Sequence, residues 1–277
     1  VSAPPGILGR IVERTLADVA ERRSRVSVHE LEERGRTRAP SRRALDRALR
    51  RASPEAPVRF LCEIKKASPS RGILKADLDP ARQAGIYREH GAAAVSVVTE
   101  PHFFQGEEEF LREARRGAPG LPLLRKDFHV HELQIFEAAA GEADAVLLLA
   151  AVLDPSQLKD YIDLAAELGL GHLAEVEDAA QAEIALKAGA RVIGVNNRDL
   201  VTFRVDVGRT EAVLPALSGT GAVTVAESGI GDRETVLRLE RAGVDALLAG
   251  EALVTAPDPA RRLRELRGVT DPEAGSP

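Results

Sequence analysis

The sequence predicts an α/β fold in which eight strands and eight helices alternate around a closed barrel. Three observations predict it. Eight short apolar runs rich in β-branched residues alternate with longer amphipathic stretches. The runs are continuously apolar, as strands covered on both faces must be. Charged residues collect where the runs end, the face on which such barrels carry their sites. The chain of 277 residues has room for one barrel of ~250 residues and a small addition.

Taken in order, residues 1–52 read as a helical extension. Ile7, Leu8, Ile11, Val12, Leu16 and Val19 recur at helical spacing, with Arg10, Glu13, Arg14 and Asp18 between them. That is an amphipathic helix in need of a surface. A basic stretch from Arg34 to Arg43 follows, then a short helix from 41 to about 51. The segment is too poor in apolar residues for its own core. The barrel is expected over 53–270 and a flexible tail over 271–277. Its strands are predicted at 59–64, 94–98, 121–125, 145–149, 172–176, 192–195, 222–226 and 246–249.

Punctuation between the strands agrees. Gly91-Ala92-Ala93, Glu142-Ala143-Asp144, Gly189-Ala190-Arg191 and Gly243-Val244-Asp245 form a weak repeat at which a helix ends and a strand begins. Asp154-Pro155-Ser156-Gln157 offers an N-cap, a first-turn proline and a capping-box partner. Asp79-Pro80 and Asp232 are caps of the same kind. An open doubly wound sheet is the alternative, but no Gly-rich dinucleotide fingerprint supports it. The reading is therefore a (β/α)8 TIM barrel with an N-terminal helical extension.

Composition narrows the function classes. Net charge is −5, from 38 Lys+Arg against 43 Asp+Glu, which argues against nucleic acid or an anionic membrane as main partner. No apolar run approaches the ~20 residues of a membrane span. Pro4-Pro5 and the charged stretch after it are not a secretory pattern. Cys62 is the single cysteine, so no internal disulfide forms, and a cytoplasmic location is expected. Cys62 lies in the apolar run Phe60-Leu61-Cys62 and reads as a buried inert thiol.

The strand ends carry the chemistry. Glu63 and Lys65 end the first strand on one face. Lys126 ends the third, Glu175 the fifth, Asn196 and Arg198 the sixth, Glu227 the seventh, and Gly250-Glu251 the eighth. Pointing inward, Glu63, Lys65, Lys126, Glu175, Arg198 and Glu227 bring three carboxylates and three cations to one mouth, where mutual pairing tunes acid and base groups. Glu227-Ser228-Gly229-Ile230-Gly231-Asp232 after strand seven and Gly250 after strand eight can offer amides to a phosphate. Phe103-Phe104 belongs either to the core or over an apolar substrate. His129-Val130-His131 lacks a third ligand, so exposed or supporting histidines are expected and no metal. Asp199 reads as a loop anchor or a partner of Arg198.

Four segments resemble the indole-3-glycerol-phosphate synthase family, in its order and spacing. They are Phe60-Leu61-Cys62-Glu63-Ile64-Lys65-Lys66-Ala67-Ser68-Pro69-Ser70, Leu124-Arg125-Lys126-Asp127-Phe128, Gly194-Val195-Asn196-Asn197-Arg198-Asp199-Leu200 and Ala226-Glu227-Ser228-Gly229-Ile230. The resemblance covers nearly the whole chain and implies an extension packed over the barrel mouth. It implies a phosphorylated substrate, 1-(2-carboxyphenylamino)-1-deoxyribulose 5-phosphate, which cyclises with loss of CO2 and then water. By the same resemblance, Lys126 is the general acid on the ketone oxygen and Glu175 the base or proton partner in dehydration. Lys65 and Arg198 hold the anionic substrate. Glu63, Asn196 and Glu227 orient sugar hydroxyls and lysines. Ser68, Ser228, Gly229, Gly250 and Glu251 belong to the binding wall, and Phe104 and Phe128 contact the anthranilate ring.

No cofactor is expected, since the aniline nitrogen supplies the electrons and a lysine can neutralise the developing alkoxide. The oligomeric expectation is a monomer or weak homo-oligomer. Two departures stand out: Glu107-Glu108-Glu109 where the family has a small residue, expected to add negative charge near the mouth, and Arg125 at a variable position. Competing readings are a phosphate-binding barrel isomerase, a Schiff-base aldolase using Lys126, and a degenerate barrel serving as a scaffold. The isomerase does not explain Lys65 and Lys126 together with Glu175, and a scaffold has no need of six ionisable groups at one mouth.

Overall fold

The computed structural model describes residue 4, residues 6–37 and residues 44–269. Among them, eight strands close into one parallel barrel in chain order. They are β1 (Arg59–Ile64), β2 (Ala94–Val98), β3 (Leu123–Lys126), β4 (Ala145–Leu149), β5 (Gly171–Val176), β6 (Val192–Asn196), β7 (Val223–Glu227) and β8 (Ala246–Ala249). β8 returns to β1 from Arg59↔Ala246 to Cys62↔Ala249, which closes the ring.

Three helices precede the barrel: α1 (Gly6–Arg23), α2 (Val28–Thr37) and α3 (Leu45–Leu49). Then α4 (Pro80–Glu89), α5 (Glu109–Gly117), α6 (Glu132–Ala140), α7 (Pro155–Glu167), α8 (Ala179–Lys187), α9 (Gly208–Leu217) and α10 (Arg233–Ala242) follow β1 to β7 in turn. After β8 come a single turn, α11 (Glu251–Val254), and α12 (Pro259–Arg267). Asp79, Asp154 and Asp232 accept the amide hydrogens of Arg82, Gln157 and Thr235, as their spacing predicts. Gly243 closes α10 at φ 98°, a conformation that favours glycine.

The strand periodicity of two splits each strand between two cores. Leu61, Leu124, Leu147, Leu173, Val192, Val225 and Leu248 fill the barrel interior. Phe60, Cys62, Ile64, Val95, Leu123 and Ile193 face the helices. Both faces are dry, and that is why the runs read as continuous.

The helices before β1 cap the two ends. Leu45 and Leu49 of α3 join the interior core, and Arg59 donates to the Ala48 carbonyl at 3.1 Å, so α3 plugs the N-terminal end. Leu8 and Val12 of α1 join the same core from the other end, where Ile7, Leu8 and Ile11 line the cavity. Gly35 of α2 lets that helix approach α6, since a Cβ there would sit 3.1 Å from Ala139 Cβ.

Some expectations need correcting. Leu16 is 40% exposed, and Thr15 takes its place in the buried stripe Leu8, Ile11, Val12, Thr15, Val19. β3 starts at Leu123, because Pro122 has no amide hydrogen to give the ladder. β6 and β7 each run one residue further, into Asn196 and Glu227, so both side chains sit on strands rather than loops. A two-residue hairpin pairing Ala67–Ser68 with Gly72–Ile73 has no counterpart in the sequence reading. The expected helix from 41 to about 51 is Leu45–Leu49, and residues 41–43, like the tail at 271–277, lie outside the described residues.

Candidate active site

The C-terminal ends of the strands enclose a cavity of about 690 Å³. Of the residues picked out from sequence, Glu63, Lys65, Ser68, Phe104, Lys126, Phe128, Glu175, Asn196, Arg198, Ser228, Gly229, Gly250 and Glu251 all line it. Glu227 does not line it but lies directly beneath, bonded to Lys126.

The charged floor comes from alternate strands. Glu63 on β1, Lys126 on β3, Glu175 on β5 and Glu227 on β7 all point inward, the arrangement by which such barrels build a layer. Lys126 Nζ lies 2.9 Å from Glu227 Oε2 and 3.2 Å from Glu63 Oε2. The other oxygen of Glu63 takes Lys65 Nζ at 2.5 Å. A buried cation is stable only where its partners replace the lost water, and two carboxylates do so here.

These contacts set the protonation states. Burial works to raise the Glu63 carboxyl, but Lys65 and Lys126 outweigh it and hold it down at about 2. Burial works against the Lys126 ammonium, yet Glu227, Glu63 and Glu175 outweigh that and push it well above the usual lysine range. Glu227 goes the other way. Its burial raises it to about 7, with Lys126 opposing and Glu175 and Glu63 adding repulsion. Its Oε1 is buried without a hydrogen-bond partner, packed where a Cβ on Gly194 would lie 2.0 Å from it. Glycine at 194 is therefore what gives this carboxylate room.

Glu175 is oriented by a relay. Asn196 Oδ1 accepts from Ser228 Oγ at 2.9 Å and from the Arg198 amide at 3.0 Å. With its oxygen so occupied, the Asn196 amide must turn its NH2 toward Glu175 Oε1, at 2.9 Å. Ser228 and Gly229 both adopt left-handed backbone, φ 66° and 81°, and this turn carries the β7 chain past Asn196. Such a conformation is uncommon for serine and is concentrated at functional turns.

At the rim, Glu251 pairs with Arg71 at 3.0 Å and with Arg198 at 3.6 Å. Phe104 and Phe128 face each other with centroids 6.1 Å apart at 38°, within the usual range of aromatic pairs. Arg10 of α1 sits 5.9 Å from the Phe103 ring, so Phe103 holds the extension while Phe104 lines the cavity.

Other expectations resolve as follows, Cys62 as a buried thiol and Asp199 as a loop anchor among them. Asp199 does not pair with Arg198. It binds Arg209 at 2.6 Å and accepts from the Val201 and Thr202 amides, which anchors the loop. His129 is buried, not exposed, with Nδ1 2.8 Å from the Leu147 carbonyl, and burial pushes it down to about 4. His131 caps α6 by accepting from the Leu133 amide. Cys62 is fully buried, which drives its thiol pKa up. Glu107, Glu108 and Glu109 line no part of the cavity. Glu108 pairs with Arg125 at 3.1 Å and Glu109 with Arg112 and Arg116, because they lie at the start of an outer helix.

Sequence reading missed Arg71, Leu147, Leu149 and Leu200 in the lining. Leu147 and Leu149 had a signal, since they alternate along β4 toward its C-terminal end. Arg71 and Leu200 lie in irregular loops that carry no periodicity.

Comparison with known proteins follows the same line. The family described as "Indole-3-glycerol phosphate synthase" matches residues 8–266. The chain is 42% identical to the indole-3-glycerol phosphate synthase of Dehalococcoides mccartyi strain CBDB1, over 94% of this chain and 99% of that one. It is 46% identical to that of Aquifex aeolicus strain VF5, over 76% and 81%. Among solved structures it resembles a 3-hexulose-6-phosphate synthase with TM-score 0.60 at 17% identity, covering 77% of this chain and 100% of that one. It also resembles a thiamine phosphate pyrophosphorylase from Pyrococcus furiosus with TM-score 0.58 at 20% identity, covering 81% and 96%. At such identities these structures speak for the barrel alone. The length of the family match and the identity to curated relatives decide the question: this chain belongs to the indole-3-glycerol phosphate synthase family.

Proposed function

We propose that this chain converts 1-(2-carboxyphenylamino)-1-deoxyribulose 5-phosphate to indole-3-glycerol phosphate with the residue roles that follow. The reaction is a carbon–carbon lyase step of tryptophan biosynthesis. The observation that carries the roles is the Lys126 ammonium, held between Glu63 and Glu227 on the cavity floor.

Ring closure begins when the aromatic carbon bearing the carboxylate attacks the ketone. Negative charge develops on the ketone oxygen, and a fixed cation there lowers the barrier. Lys126 is that cation. So firmly protonated a lysine gives up its proton only to a strong base, and an alkoxide is one. CO2 then leaves and restores aromaticity. Departure of the remaining hydroxyl as water needs an acid and a base, and Glu175, fixed by Asn196, is the carboxylate for the proton that must go. Lys65 and Arg198 neutralise the substrate's anionic groups. Ser68, Ser228, Gly229 and Gly250 form the phosphate wall, and Phe104 and Phe128 take the anthranilate ring. Glu227 acts through Lys126, since it does not reach the cavity.

In this reading α1 of the extension (1–52) covers the mouth of the barrel domain (53–270), and the protein works in the cytoplasm as a monomer or weak homo-oligomer. The chain contains no Trp and two Tyr, so indole emission, which lies to longer wavelength than tyrosine's, reports product without a tryptophan background. Mixing protein and substrate without cofactor is expected to release one CO2 per indole formed. Substrate consumption without indole, or borohydride trapping of a lysine adduct, would replace this reading with an aldolase.

A further inference from the structure

Arg125 and Glu108 meet on the outer side of the barrel wall. Arg125 precedes Lys126 on β3, so it points away from the cavity. Its side chain is 4% exposed, and its guanidinium lies 3.1 Å from Glu108, 3.2 Å from Asp127 and 3.7 Å from Glu137 of α6. Glu137 also takes Arg22 of α1 at 2.8 Å. A guanidinium cannot shed its charge, so burying it requires such a set of partners.

The chain of contacts then turns toward the mouth. Asp127 Oδ2 accepts from the Thr99 hydroxyl at 2.8 Å, and its Oδ1 accepts from the Phe128 amide at 2.9 Å. Arg125 Nε donates to Thr99 Oγ1 at 3.4 Å. Thr99 directly follows β2 and precedes Glu100, a buried carboxylate that accepts from the amides of His102, Phe103 and Phe104 at 3.0, 2.7 and 2.8 Å. Asp127 thus holds the Phe128 backbone and Glu100 the Phe104 backbone, and Thr99, bonded to Asp127 through its side chain and to Glu100 through the main chain, joins the two sides of the aromatic pair. None of these contacts reaches Ser228, Gly229 or Gly250.

We propose that Arg125, Asp127 and Thr99 are positioning residues that set the spacing of Phe104 and Phe128, and so determine how tightly the site grips an aromatic ring. This rests on the reading of the cavity as the site for a carboxyphenylamino sugar phosphate. A purely structural network would change every ligand's affinity alike. This one acts on the ring end only.

Thr99→Val removes the hydroxyl at nearly constant shape, and Thr99→Ser restores it. Three quantities are measured on each protein: KM for the substrate, Kd for the fluorescent ring ligand 2-(methylamino)benzoate, and Ki of glycerol 3-phosphate, which has no ring. In Thr99→Val, KM and the ring-ligand Kd are expected to rise about fivefold, the factor one net hydrogen bond gives. The glycerol 3-phosphate Ki and kcat stay within about twofold, and Thr99→Ser returns both raised values toward wild type. Equal loss for all three ligands, or unchanged ring affinity in Thr99→Val, overturns the proposal. Wild-type turnover in the same series tests the reaction itself, while the ring-ligand Kd tests the positioning whatever that turnover is.

Discussion

Glu63 Oε1 occupies the space where a side chain on residue 250 would begin: a Cβ on Gly250 would lie 2.4 Å from it, and the three nearest atoms are all from Glu63. The glycine after β8 is therefore needed for a carboxylate on β1, apart from any amide it offers to a phosphate. Gly250→Ala should push Glu63 off Lys65 and Lys126 together and lower kcat by about 10²-fold, the scale on which a lost electrostatic contact acts. Gly120→Ala, at a position with open space around it, should leave kcat unchanged. Steady-state kinetics on the two variants checks this, and equal kcat values would contradict it.

Glu227 makes the fold sensitive to pH in a direction opposite to Glu63. A carboxyl raised to about 7 by burial stabilises the fold when protonated. That contribution is fully present below the unfolded carboxyl range and is lost as pH rises through about 7. In Glu227→Gln it cannot vary. Denaturant unfolding from pH 5 to pH 8 should show the wild type losing stability relative to Glu227→Gln as pH rises. A constant difference would show that Glu227 does not titrate in this window.

Glu175 takes its orientation from Asn196, which Ser228 and the Arg198 amide hold in turn. Glu175→Gln keeps the shape and the acceptor toward Asn196 but loses the carboxylate proposed as the base. Its kcat should fall by about 10²–10⁴ with KM within about threefold, the usual scale for a lost general base. Ser228→Ala frees the Asn196 amide and should cost less, about tenfold. Should Ser228→Ala cost more than Glu175→Gln, the relay runs in the wrong order.

What the sequence reveals follows from which signals are local. Strands buried on both faces announce themselves as apolar runs, and Asp154 or Asp232 marks a helix start because capping spans three residues. Inward charges at strand ends follow from period two, so Glu63, Lys126, Glu175 and Glu227 are legible as a set. Contacts between loops are not. Arg71 meets Glu251 across the mouth, and Glu108 meets Arg125 across the wall, and neither pairing has a period or a fixed spacing. His129 reads as a polar loop residue because nothing local tells that its Nδ1 faces the Leu147 carbonyl on β4. The hairpin at 67–68 and 72–73 is too short for any pattern.

Everything in this mechanism turns on the positive charge of Lys126 at the ketone oxygen. Removing the ammonium by Lys126→Ala leaves Glu63 bonded to Lys65 but takes from buried Glu227 the partner of its Oε2, so the fold has to be checked beside the rate. The most direct test is kcat of Lys126→Ala, followed by indole fluorescence, with circular dichroism confirming that the barrel is intact. A fall of about 10³-fold or more is expected; a folded Lys126→Ala protein that turns over at close to the wild-type rate would rule out this role for the ammonium.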